Sequence, residues 1–101
     1  DRGQITGCLI DGPLAFDNAV SKAAAQEKGI VSQVAGDADL LLMPDLNAGN
    51  MLYKSFNYMG GGDCAGLVLG AKVPIVLTSR ADSLQSRMAS VALAVLAGAP
   101  A

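Results

Sequence analysis

The chain has 101 residues, 51% of them hydrophobic and 16% charged, and a net charge of −2. That length gives one small domain able to bury about two-thirds of its unfolded surface, and the apolar share excludes a disordered chain. With no basic run, no histidine and no apolar run of membrane-spanning length, the sequence points away from nucleic-acid or membrane surfaces and excludes a His general base or a His-ligated metal. Cys8 and Cys64 read as small buried fillers, and two cysteines in this composition suit a reducing cytoplasm. No secretory leader is visible. The chain starts at Asp1 without an initiator Met, as a processed chain or a fragment does.

In chain order, residues 5–10 are a compact apolar run and predict a strand, broken by Asp11-Gly12-Pro13. Pro13 suits the first turn of a helix. That helix is predicted over residues 14–28, where Phe16, Val20, Ala23 and Ala24 recur at helical spacing and Gly29 supplies the stop. Leu40-Leu41-Leu42-Met43 is too short for a helix and has no polar face. It reads as a strand covered on both sides, as in a parallel sheet. Pro44-Asp45-Leu46-Asn47-Ala48-Gly49-Asn50 follows, and then a helix predicted over 51–59 that buries Leu52, Phe56 and Met59. The run Gly60-Gly61-Gly62 ends that helix.

Residues 64–69 and 73–77 predict two more strands, separated only by Gly70, Ala71 and Lys72. Parallel neighbours in one sheet need a crossover of about a dozen residues. The pair is therefore either a hairpin or a passage from one layer or subdomain into another. Asp82 is placed to cap the last helix, with Gln85 in capping-box position. This helix is predicted over 83–97, with Leu84, Met88, Val91 and Val95 as its apolar stripe. The order β-α-β-α-β-β-α is that of an α/β protein, with helices on a mainly parallel sheet.

Two polar turns after buried strands carry most of the available chemistry. The first, residues 44–50, opens a helix at the carboxyl end of a strand, where open α/β sheets bind ligands and free N–H groups suit an anion. The same residues also make an ordinary turn with Asn47 as N-cap. Spacing leaves both readings open, and Asp45, Asn47, Gly49 and Asn50 are the candidate substrate-binding residues. In the second turn Arg80 offers paired donors to a phosphate or carboxylate, against the alternative of a surface ion pair. Ser79 suits a hydrogen-bond donor, since no His is present to activate it as a nucleophile. For Asp82, helix capping stands beside a catalytic role. Lys54 and Arg87 read as solvated helix residues.

Three motifs occur in order: Gly12-Pro13-Leu14-Ala15-Phe16-Asp17, then residues 44–50, then Leu77-Thr78-Ser79-Arg80-Ala81-Asp82-Ser83. Over residues 12–97 the chain resembles the C-terminal part of the phosphate acetyltransferase and phosphate butyryltransferase family. The resemblance implies an acyltransferase that exchanges acetyl or butyryl between coenzyme A and inorganic phosphate, the thiol attacking the acyl phosphate directly. It implies a cytoplasmic homodimer that uses coenzyme A as co-substrate and holds no tightly bound cofactor and no metal. The fold implied is a three-layer α/β architecture with a mainly parallel sheet and flanking helices, of the isocitrate/isopropylmalate dehydrogenase type. Its active site lies in a cleft between two domains. Residues 1–69 would then close the second domain, and 70–101 would be a strand and helix returning to the first.

Carried over by motif, Arg80 would hold the phosphate and Ser79 would hydrogen-bond the reacting centre, with Asp82 the nearest acid. Where the acetyltransferase branch has an Asp proposed as base, this chain has Ser86. The run from Thr78 to Ser83 looks more like the butyryltransferase branch. Two alternatives stand beside the acyltransferase reading: a phosphate- or coenzyme-A-binding module without catalysis, supported by the departure at Ser86, or a folded but inactive fragment. The second is the expectation for these 101 residues alone, since half of the implied cleft is missing.

Overall fold

The computed structural model describes residues 2–100 and divides into two units, Asp1–Met43 and Pro44–Ala101. The first unit holds α1 (Phe16–Val20) and α2 (Lys22–Glu27), and the second holds α3 (Leu46–Tyr58) and α4 (Leu84–Ala97).

In the first unit the single helix predicted over 14–28 is two short ones. Ser21 between them is extended, with φ −124° and ψ 115°. Its Oγ accepts the Ala24 N–H at 3.2 Å, so Ser21 caps α2 instead of continuing α1. Pro13 lies ahead of α1, not in its first turn. The predicted stop is present. Gly29 has φ +68°, its N–H donates to the Gln26 carbonyl, and the Ile30 N–H donates to the Ala25 carbonyl, a Schellman arrangement.

The short α1 leaves carbonyls without intrahelical partners, and the following loop supplies donors. Gly36 N–H reaches the Asn18 carbonyl at 2.7 Å, and Ala38 N–H reaches that of Ala19 at 3.2 Å. Gly36 sits at φ +80° against the backbone of Lys22, where an added Cβ would lie 2.6 Å from the Lys22 Cα. Ala19 and Ala25 are buried in this unit. Lys28 Nζ pairs with Asp17 Oδ2 at 3.1 Å on the surface.

In the second unit α3 begins five residues earlier than the sequence pattern implies, and its cap is Asp45, not Asn47. Asp45 Oδ1 accepts the Ala48 N–H at 2.8 Å. Its inward side is Leu52, which is half-buried, while Phe56 and Met59 are 54% and 86% exposed. The helix ends at the predicted glycines, where Gly60 N–H donates to the Ser55 carbonyl and Gly62 N–H to that of Phe56. Gly62 lies directly under the Phe56 ring.

The inward face of α4 also differs from the predicted one. Leu84, Met88, Val91 and Val95 are all more than half exposed, and Ser86 and Ser90 are buried instead. Small residues let the 64–66 segment approach closely: Ser90 Oγ accepts the Gly66 N–H at 2.9 Å and donates to the Ser86 carbonyl at 2.8 Å. Ser83, not Asp82, caps this helix, its Oγ accepting the Ser86 N–H at 3.1 Å.

The four segments read as strands have no ladder partners among the described residues, apart from one antiparallel bridge between Val68 and Ile75. There the Val68 N–H donates to the Ile75 carbonyl at 2.9 Å, so the short Gly70–Lys72 connection brings the two runs together as a hairpin does. In the first run Gly7 sits at φ +82°, outside the strand region of backbone space. The apolar residues of these segments are largely exposed: Leu9 67%, Leu42 92% and Leu77 82%. Cys8 is likewise exposed and Cys64 half-buried, so Cys8 is not the buried filler its neighbours imply.

Candidate functional site

Both polar turns lie in the second unit, and part of each reaches a common hollow of about 210 Å³. From α3 come Asn50, Tyr53 and Lys54, which share one helix face by their three- and four-residue spacing. From the second turn come Ser79 and Asp82, preceded by Leu77, and Gly66 and Ser90 complete the lining.

The turn itself is tightly tied. Asp82 N–H donates to the Ser79 carbonyl at 3.1 Å, and Ser79 N–H donates back to Asp82 Oδ2 at 2.8 Å. Asp82 therefore fixes the turn before α4 and leaves the helix cap to Ser83. Arg87 holds the same turn from the helix. Its Nη2 donates to the Ser79 carbonyl at 2.9 Å and to that of Arg80 at 3.3 Å, its Nε to that of Asp82 at 3.3 Å, and its Nη1 to Thr78 Oγ1 at 3.4 Å.

Charge in the hollow is mixed. Lys54 Nζ stands 5.6 Å from the Tyr53 ring centre and 5.8 Å from that of Tyr58, within cation–π reach of both. Burial pushes the Tyr53 phenol above its ordinary range, with the negative charge of Asp82 adding to it. A neutral phenol, an ammonium, an amide and a serine hydroxyl give the hollow donors suited to a small oxyanion.

Of the residues singled out by sequence, Asn50, Ser79 and Asp82 line the hollow. Arg80 is exposed in the same turn and is not part of the lining. Asp45 is a helix cap, and Asn47 and Gly49 are first-turn residues of α3 away from the lining. Ser86 is buried on α4 and lies off the hollow, so no acid–base group stands at that place. By sequence Lys54 and Arg87 read as solvated helix residues, and Tyr53 and Ser90 are not singled out; the structure places Tyr53, Lys54 and Ser90 in the lining and bonds Arg87 to the turn. The spacing from Asn50 points to Tyr53 and Lys54, and a Ser within an apolar stripe points to Ser90. Among the described residues no group of His, Cys, Asp and Glu is placed to hold a metal ion.

Comparison with known proteins bears on this site. Residues 1–95 match the family model described as "Phosphate acetyl/butaryl transferase". The chain is 62% identical over 96 residues to a phosphate acetyltransferase of Rhizobium meliloti, covering 95% of this chain and 30% of that protein. It is 50% identical over 99 residues to a phosphate butyryltransferase of Clostridium beijerinckii, covering 98% and 33%. Among solved structures it is similar to a branched-chain phosphotransacylase from Enterococcus faecalis V583, with a TM-score of 0.71 and 42% identity over 83% of this chain and 32% of that one. The chain thus spans about a third of the length of the relatives it matches.

Proposed function

Since the chain belongs to the phosphate acetyl/butyryltransferase family, we propose that it carries part of the site at which an acyl group passes between coenzyme A and inorganic phosphate. The observation that carries this reading is the meeting of Ser79 and Asp82, from the turn, with Asn50 and Lys54, from α3, around one oxyanion-sized hollow, with Arg80 beside it. Arg80 binds the phosphoryl oxygens through paired N–H donors. The Ser79 hydroxyl and the Asn50 amide orient the acyl phosphate, and Lys54 adds positive charge.

The coenzyme A thiol attacks the acyl carbonyl, a C–S bond forms, and the C–O bond to phosphate breaks. The thiol proton leaves with the departing phosphate, which is basic enough to take it. This balance needs no carboxylate at position 86 and frees Asp82 for the Ser79 N–H it already holds. Asp45, Asn47 and Gly49 shape the start of α3 and position the wall that bears Asn50.

The same reading covers the fold. In the complete protein, segments 5–10, 40–43 and 64–69 join a mainly parallel sheet in a fold of the isocitrate/isopropylmalate dehydrogenase type, and residues 70–101, with the strand 73–77, return to a neighbouring domain. The exposed Leu9, Leu40, Leu42, Leu69 and Leu77 support it, because such side chains call for cover. A cytoplasmic homodimer with no tightly bound cofactor belongs to the same proposal.

The test is to mix the complete protein with coenzyme A and acetyl or butyryl phosphate and follow the thiol. Stoichiometric loss of thiol with release of phosphate is the expected result. Binding of coenzyme A or phosphate without turnover would favour a non-catalytic module, the reading that the Ser at position 86 suggests.

A further inference from the structure

Arg87 breaks a local rule. It closes the first turn of α4, where a cation faces the positive end of the helix dipole. A residue that opposes its local preference points to a compensating interaction. Here the guanidinium gathers three backbone carbonyls, of Ser79, Arg80 and Asp82, together with the Thr78 hydroxyl, on one side of the turn. One turn further along α4, Ser90 holds the Gly66 N–H. Two walls of the hollow are therefore anchored to the same helix, one by Arg87 and one by Ser90.

We propose that Arg87 is a positioning residue: it fixes the 78–82 turn so that Ser79 and Arg80 are preorganised for an oxyanion. It also neutralises the carbonyl dipoles of that turn, which would otherwise repel the anion. This rests on the acyl-transfer reading above. Arg is required, because its planar fork serves several acceptors at once, whereas a Lys ammonium is a single point charge.

The experiment compares wild type, Arg87→Lys and Arg87→Ala in the complete protein by two readouts. The first is tryptic cleavage of the Arg80–Ala81 bond, followed by mass. A held turn resists the protease, and Arg87→Ala should be cut there about tenfold faster or more. The second is steady-state kinetics. Arg87→Ala should lower kcat/KM for the acyl phosphate by about 10–100-fold, leave KM for coenzyme A within about twofold, and be rescued only in part by Lys.

Equal cleavage in wild type and Arg87→Ala would overturn the proposal, whatever the activity. Faster cleavage with unchanged kinetics would overturn the positioning role, and full rescue by Lys would overturn the need for the fork. A wild type that cuts slowly but turns over no thiol would sink the acyl-transfer reading and this role with it, while leaving the hold on the turn established.

Discussion

Asp82 offers a sharp division between two kinds of role. Its Oδ2 accepts the Ser79 N–H at 2.8 Å, and its own N–H donates to the Ser79 carbonyl. If Asp82 acts by holding this turn, Asp82→Asn keeps an acceptor of the same shape. A neutral hydrogen bond has about half the strength of a charge-assisted one. The Asn variant then loses about 1 kcal/mol, and kcat/KM falls about fivefold. Asp82→Ala removes the acceptor altogether and should cost about 10–30-fold. Neither change alters the shape of the pH–rate profile. A general base predicts otherwise: Asn would then lose about 10²–10⁴-fold, and the acidic limb of the profile would vanish. The assay is kcat/KM for acyl phosphate across pH in the complete protein, for wild type, Asn and Ala. A drop of 100-fold or more in Asn, with the acidic limb gone, would refute the turn-holding argument.

Three further outcomes test the account of the fold. Gly29→Ala, at φ +68° in open space, should cost about 1 kcal/mol, whereas Gly36→Ala, at φ +80° against the Lys22 backbone, should cost about 2–4 kcal/mol in denaturant unfolding. Equal costs would contradict the close approach at Gly36. Asp45→Ala should lose about 1 kcal/mol by removing the acceptor of the Ala48 N–H, and Asn47→Ala much less. The hydrogen bond from Lys28 holds the Asp17 carboxyl below its ordinary 3.8. A lowered folded-state value means the contribution is present above about pH 4 and is lost as pH falls through that value. Lys28→Met should therefore lower stability slightly at neutral pH and leave it unchanged in strong acid, which flattens the acid limb of a stability–pH curve; the effect is small because both partners are half exposed.

The sequence carries some of these features plainly and hides others for physical reasons. The stops at Gly29 and Gly60–Gly62 are legible because left-handed or Cβ-free backbone is a local requirement. The cap of α3 is not, because Asp45 and Asn47 have equal capping chemistry and only geometry selects the one whose oxygen meets the Ala48 N–H. Likewise Ser83 and Asp82 compete at α4, and Asp82 is drawn off by the Ser79 N–H. Periodicity shows that Leu84, Met88, Val91 and Val95 share a face, but not that close packing at Ser90 turns the small face inward. The break at Ser21 leaves helical spacing on both sides undisturbed, so it escapes a periodicity argument. The hollow was legible in Asn50, Ser79 and Asp82. Arg87 was not, because a surface Arg on a helix is usually solvated and its role lies in carbonyls that no side-chain pattern records.

The claim that the 78–82 turn receives the phosphate of an acyl phosphate is tested most directly at Arg80. Arg80→Ala, measured in the complete protein by acyl-phosphate-dependent loss of coenzyme A thiol, should lower kcat/KM by about 100-fold or more with the melting temperature unchanged. Turnover at the wild-type rate in Arg80→Ala would contradict the account.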